Sequence, residues 1–221
     1  MTRKRVSERP GVVDERQIGL DFGPPLPRVR EALPSEHRTL LELVARAFAE
    51  DPVATWLFPD AAVRAARYGP FAGLAIESFA THARVYTESA HRGVAIWQAP
   101  DAPPVGPARQ LRLLLRLLGI ARGAFGRALR MSDRMSRAHP EAPHWYLAVL
   151  GTDPDARRRG IGGTLLAPVL ARCDASGLPA YLESSNASNL GFYTRHGFEL
   201  LDEIRIPDGP SLWRMARAPR R

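Results

Sequence analysis

The stretch Asp153-Pro154-Asp155-Ala156-Arg157-Arg158-Arg159-Gly160-Ile161-Gly162-Gly163-Thr164-Leu165-Leu166 stands between an apolar run that reads as a strand and one that reads as an amphipathic helix. Glycines at 160, 162 and 163 let a backbone come close to a ligand, and the free N–H groups of the helix's first turn form an anion site reinforced by the helix dipole. Arg157, Arg158 and Arg159 add positive charge beside it. The expected ligand is a phosphate or pyrophosphate. A P-loop would need Gly-Lys followed by Ser or Thr, which is absent here. The dinucleotide fingerprint would need a third glycine three residues after the second, and position 165 is leucine. A plain helix cap is the alternative for this loop taken alone.

A second stretch lies downstream, Tyr181-Leu182-Glu183-Ser184-Ser185-Asn186-Ala187-Ser188-Asn189-Leu190-Gly191-Phe192-Tyr193-Thr194-Arg195-His196-Gly197-Phe198. With it, the glycine loop resembles the acetyl-CoA loop of the GNAT superfamily. That loop reads Gln or Arg, two residues, Gly, one residue, then Gly or Ala, matched by Arg157, Gly160 and Gly162, and the superfamily's Asn, Phe-Tyr and Gly-Phe recur downstream in order. Within the superfamily, Tyr146 to Met215 is most similar to the puromycin N-acetyltransferases, through Leu147–Pro154, Tyr181–Ser185, Asn189–Gly197 and Pro207–Pro210. Arg157 stands where those enzymes have glutamine and Arg158 where they have glycine. Upstream the likeness thins to Ala47-Phe48-Ala49 and Val94-Ala95-Ile96-Trp97.

The resemblance implies a mixed α/β (α+β) GNAT fold, a central twisted mixed sheet flanked by helices, whose strands before and after the loop splay to admit the cofactor. It implies acetyl-CoA as co-substrate and N-acetyl transfer to a primary amine of a small molecule, an antibiotic or other amine metabolite. The rivals are a protein or peptide N-acetyltransferase and a non-catalytic CoA-binding protein. The residues implied to hold the cofactor are Leu150, Gly151 and Thr152 at the strand edge, Arg157, Arg158, Arg159, Gly160, Ile161, Gly162, Gly163 and Thr164 in the loop, and Asn189 on the cofactor arm. Tyr193 matches the general acid for the leaving thiolate, and Glu183, ending a strand that faces the cleft, is the expected general base, directly or through water. Without the resemblance, Tyr193 reads as core, Glu183 as an arginine's ion-pair partner, and Asn189 as a helix cap. His144 and His196 are further candidate bases.

Six histidines and one cysteine show no metal-ligand spacing, so no metal is expected, and Cys173, among apolar neighbours, is expected to be buried. One cysteine also excludes an internal disulfide, which fits a reducing compartment. The formal charge of +8 invites a nucleic-acid reading, but it comes almost wholly from arginines spread along the chain, with Lys4 the lone lysine. No specific nucleic acid is expected. Neither a signal peptide nor a membrane span is evident, because Arg112 and Arg116 interrupt the apolar run Leu111–Ile120, so a cytoplasmic monomer or homodimer is expected.

The elements that must carry these residues follow from periodicity. Residues 1–34 read as a flexible or loosely docked N-terminal arm and 35–221 as one domain. Helices are expected over Arg38–Phe48 behind Ser35 as N-cap, over Ala61–Thr81, from Leu111 to about Arg137, over Ile161–Ser176, and, short, near Ala187–Arg195. Strands are expected at Arg84–Glu88 and Gly93–Gln98 as a hairpin, then at Trp145–Leu150, Ala180–Glu183, Glu199–Ile206 and Leu212–Ala216. The leucines at 111, 114, 115 and 118 predict a core-facing stripe with a solvated basic face, and the apolar stretch Ala61–Arg137 is expected to wall the acceptor pocket.

Overall fold

The computed structural model describes residues 28–103 and 105–220. Seven strands form one sheet: β1 (Val29–Glu31), β2 (Ala83–Glu88), β3 (Gly93–Gln98), β4 (Trp145–Thr152), β5 (Ala180–Ser184), β6 (Glu199–Arg205) and β7 (Ser211–Arg217). Their order across the sheet is β1-β2-β3-β4-β5-β7-β6. All neighbours are antiparallel except β4 and β5. That parallel pair is joined by α6 (Ile161–Ser176), as a parallel crossover requires. The mixed α/β architecture implied by the sequence is the one observed.

The sheet separates two apolar layers. On one face α1 (His37–Ala47), α2 (Pro52–Leu57), α3 (Ala61–Phe79), α4 (Pro107–Ala121) and α5 (Phe125–Ala138) pack over Val85, Val94, Ile96, Val149, Ile204 and Leu212. On the other, α6 and the short α7 (Leu190–Arg195) cover Ala95, Trp97, Leu147, Leu182 and Met215. The unbroken apolar run of β3 is explained: Val94 and Ile96 serve one layer, Ala95 and Trp97 the other. Cys173 is buried on α6, as expected. Among the described residues no helix is long and apolar enough to cross a membrane.

Several expectations need correction. The arm does not extend to residue 34, because Val29–Glu31 pairs with Tyr86–Glu88 and extends the sheet; residues 1–27 lie outside the described ones. Ser35 is not an N-cap but sits inside a 3-10 turn, Pro34–Glu36, after which α1 begins at His37. There the Glu36 carboxylate accepts from the Leu33 N–H and ion-pairs with Arg30. Helix α2 was not foreseen, although Asp51-Pro52 carries a strong start signal: the Asp51 side chain accepts from the N–H groups of Val53 and Ala54, and Pro52 fills the first helical position. The leucine stripe of α4 does not face the core; Leu111, Leu114, Leu115 and Leu118 are 43–60% exposed, and only Ala121 of that helix is buried.

Candidate active site

Strand β4 organises the site. It pairs with β5 only over Trp145–Leu147 against Ala180–Leu182, and beyond Leu147 the two strands part. On its other side β4 stays paired to β3 out to Thr152, with one residue extra: Trp97 faces Leu147 and Ile96 faces Val149, leaving Ala148 unmatched. This bulge bends the strand and reverses its alternation, so that Leu147 and Leu150 serve the α6 layer while Val149 serves the α1–α5 layer. The β4 edge from Ala148 to Thr152 is thereby left without a strand partner on the β5 side.

The glycine loop closes one end of the opening. Asp153 accepts from the Asp155 N–H to shape the turn Pro154–Ala156, and its carboxylate takes Arg46 of α1 at 3.0 Å, which holds that carboxyl below the usual range. Arg157 donates to the Ala47 carbonyl at 2.8 Å. Gly160 enters α6 with φ of 76°, a conformation that favours glycine, and Arg158 also has positive φ. At Gly162 a Cβ would lie 3.2 Å from the Phe192 ring, so this turn packs tightly on α7.

One cavity of about 1030 Å³ gathers most of the expected residues: Leu150, Gly151, Thr152, Arg157, Arg158, Gly160, Ile161, Gly162, Gly163, Thr164, Asn189 and Tyr193. Arg159 and Glu183 do not line it. Asn189 is exposed and makes no side-chain cap to α7; Asn186 caps the preceding turn by accepting from the Ser188 N–H. Tyr193 is both core and wall, packed edge-on against Phe192 and Phe198 while facing the cavity. Burial, and after it the charge of Asp51, pushes its phenol well above the ordinary value. His196 lines the same cavity and holds its ring by Nδ1 against the Phe192 carbonyl at 2.9 Å.

Asp51 is the site residue that sequence reasoning missed. One carboxylate oxygen caps α2, and the other accepts from the Ser185 hydroxyl just past β5, bridging the two sides of the splay. Burial raises its pKa against the hydrogen bonds from Ser185, Ala54 and Val53. Asp51 lines the cavity with Tyr193.

Glu183 stands near the end of β5, at the splay, but does not line the cavity. It is the first β5 residue past the last paired couple, Leu147 and Leu182, on the face that Tyr181 shares. Its side chain is 1% exposed, neither carboxylate oxygen makes a hydrogen bond of good geometry among the described residues, the Tyr146 and Tyr181 phenols lie beside it, and His139 Nδ1 is 3.6 Å away. Rings surround it: His139 stands edge-on to Tyr146 at 4.8 Å and to Tyr181 at 5.2 Å, and next to His144 at 4.8 Å. Among the described residues no arginine pairs with it, the alternative reading for this position: Arg214, opposite Glu183 on β7, donates to the Tyr181 hydroxyl and pairs with Asp202.

Comparisons with known proteins agree with this geometry. The model of the acetyltransferase (GNAT) family matches residues 116–198. An uncharacterized N-acetyltransferase of Schizosaccharomyces pombe is 39% identical over 62 residues, which is 28% of this chain and 25% of that protein. The chain thus spans about a quarter of the length of this curated relative. A solved structure from Corynebacterium glutamicum, described as histone acetyltransferase HPA2 and related acetyltransferase, is 28% identical with a TM-score of 0.67, covering 89% of this chain and 98% of that one. An agmatine N-acetyltransferase, 18% identical with a TM-score of 0.55 and covering 86% of this chain and 98% of that one, shares the fold. The family model, over part of the chain, and the structural neighbours are in line with the class of fold that the splayed strands and glycine loop suggest, and the chain is similar to acetyltransferases of the GNAT type. Nothing in these likenesses points to puromycin as its acceptor.

Proposed function

We propose that this chain binds acetyl-CoA in the β4–α6 cavity and transfers the acetyl group to a primary amine of a small molecule. One observation carries the reading: the unpartnered edge of β4, the glycine turn of α6 and the buried Tyr193 hydroxyl face a single cavity. The N–H groups at the start of α6, with Arg157 and Arg158, suit the pyrophosphate. The free N–H and C=O groups of the β4 edge suit the amide-bearing arm and the thioester carbonyl. Tyr193, held protonated by burial, would donate its proton to the departing sulfur. A molecule with an apolar or aromatic body is the favoured acceptor, with puromycin a sensible first compound, because Phe48 joins the cavity wall.

The test is release of free thiol from acetyl-CoA against amino-nucleosides including puromycin, aminoglycosides, polyamines, aromatic amines and short peptides. Turnover of small amines is expected. A specific observation keeps a second reading, acetylation of protein or peptide amines: the Corynebacterium relative, aligned over nearly its whole length, is described as a histone acetyltransferase. Turnover confined to peptides would decide for it, and CoA binding without turnover of any amine would mean a binding protein. In calorimetry, Gly162→Asp should abolish CoA binding, since it puts a negative charge and a side chain where the pyrophosphate must sit. Unchanged affinity would remove the loop from the cofactor site.

A further inference from the structure

Four leucines of α4 face solvent, and the cause lies on the opposite side of that helix. Its inner side is tied to α3: Arg109 donates to the Glu77 carbonyl, Arg116 pairs with the Glu77 carboxylate at 3.1 Å, and Arg67 donates to the Ile120 carbonyl at 3.1 Å. Leu117 and Ala121 add apolar contact with the core on that side. These anchors keep the helix from rolling to hide Leu111, Leu114, Leu115 and Leu118, which stay 43–60% exposed. Spaced at i, i+3, i+4 and i+7, they form one continuous stripe. A contiguous apolar stripe fixed toward solvent marks an interaction site.

The charge around the stripe selects what can cover it. Residues 107–138, which hold α4 and α5, contain eight arginines and one acidic residue, Asp133, already paired with Arg137. Helix α4 itself has no acidic residue. Arg112 on α4, Arg122 just after it, and Arg130 and Arg134 on α5 are exposed and make no ion pair among the described residues. The phosphates of a nucleic acid would suit these arginines and leave the leucines wet. A second copy meeting stripe to stripe would cover the leucines but bring unpaired arginines of like charge together. An anionic bilayer satisfies both, since its acyl chains take the leucines and its headgroup phosphates the arginines. At 15 residues, α4 is too short to span a bilayer and is suited to lie in the plane of its surface. We propose that α4, joined by α5, docks this protein on anionic membrane surfaces, with the leucine stripe entering the boundary between headgroups and acyl chains. This docking needs neither acetyl-CoA nor turnover.

The experiment sediments the full chain with vesicles of phosphatidylcholine alone, or of phosphatidylcholine and phosphatidylglycerol in equal parts. The wild type should co-sediment with the mixed vesicles, far less with the neutral ones, and more weakly as salt rises. Leu111→Ser combined with Leu115→Ser should melt like the wild type and bind the mixed vesicles about tenfold more weakly or worse, because the apolar area offered to the acyl chains is cut. Arg112→Gln combined with Arg122→Gln should cost about fivefold in affinity per arginine. The arginine pair removes no leucine, so it keeps the test open should the leucine pair disturb the fold. Equal binding of the wild type to both vesicles overturns the proposal, as does wild-type affinity in either pair of variants. Failure of the wild type to bind the mixed vesicles overturns it too. In that case, salt-sensitive binding to duplex DNA would assign the arginines to nucleic acid, and a dimer in sedimentation velocity that Leu115→Ser dissociates would assign the stripe to a second copy.

Discussion

A phenol can hand a proton to a leaving thiolate only if it still holds that proton at working pH, and the surroundings of Tyr193 secure this. Burial and the nearby Asp51 carboxylate both disfavour the phenolate. In the proposed role, Tyr193→Phe keeps the ring, its edge contacts with Phe192 and Phe198, and CoA affinity, but lowers kcat by about 10- to 1,000-fold, comparable to other acid–base groups. A kcat unchanged at saturating acceptor would return Tyr193 to a packing role. At this scale the sequence was legible where residues act through neighbours in the chain: the glycine turn and the Asn189-to-Tyr193 helix both reach one cavity. It was illegible where partners meet only in space. Asp51 and Ser185 are 134 positions apart, so nothing local announces their hydrogen bond. Glu183 was legible as a residue of the splay, but its nearest base, His139, belongs to the end of another helix.

Among the elements, α4 shows how periodicity can name a helix and misplace it. Leucines at 111, 114, 115 and 118 share one helical face whichever way that face turns, and here it turns outward. Leu115→Ser should therefore change stability by no more than about 0.5 kcal/mol, as an exposed substitution does. Leu165→Ala, at a fully buried position of α6, should cost about 2–5 kcal/mol. Denaturant titration of the two variants checks both figures, and a large loss at Leu115 would mean that the stripe is covered in solution. Helix α2 has a legible start signal in Asp51-Pro52, but its six residues are too few for a helical period to show in the sequence.

Across the whole molecule, the C-terminal strand is tied back to α6 by charge. Arg217 on β7, almost wholly buried, makes two bonds to Asp174 at 2.8 and 2.9 Å, and the Arg220 N–H adds a third. The Arg217 guanidinium, with the Arg220 N–H, holds the Asp174 carboxyl down at about 2. A carboxyl depressed on folding stabilises the folded state above its unfolded pKa of about 3.9, and that stabilisation is lost as pH falls through the folded value. Asp174→Asn should therefore lower Tm at neutral pH, with the gap to wild type closing as pH drops from about 4 toward 2. A gap that stays constant across that window would assign the effect to packing instead of charge.

The bulge at Ala148 gives the cleft an unusual dependence. Because Ala148 is the surplus residue against β3, the register of a chain lacking it would keep Leu147 turned toward α6, Val149 toward α1 and Leu150 toward α6, with only the Ala148 methyl lost from the α1–α5 layer. What would change is the bend, and with it the departure of β4 from β5. The opening for a ligand is thus encoded by chain length at one position and not by any side chain there. Deleting Ala148 should therefore lower acetyl-CoA affinity in calorimetry where Ala148→Ser should not, and equal affinity in the two variants would mean that the gap does not depend on the bulge.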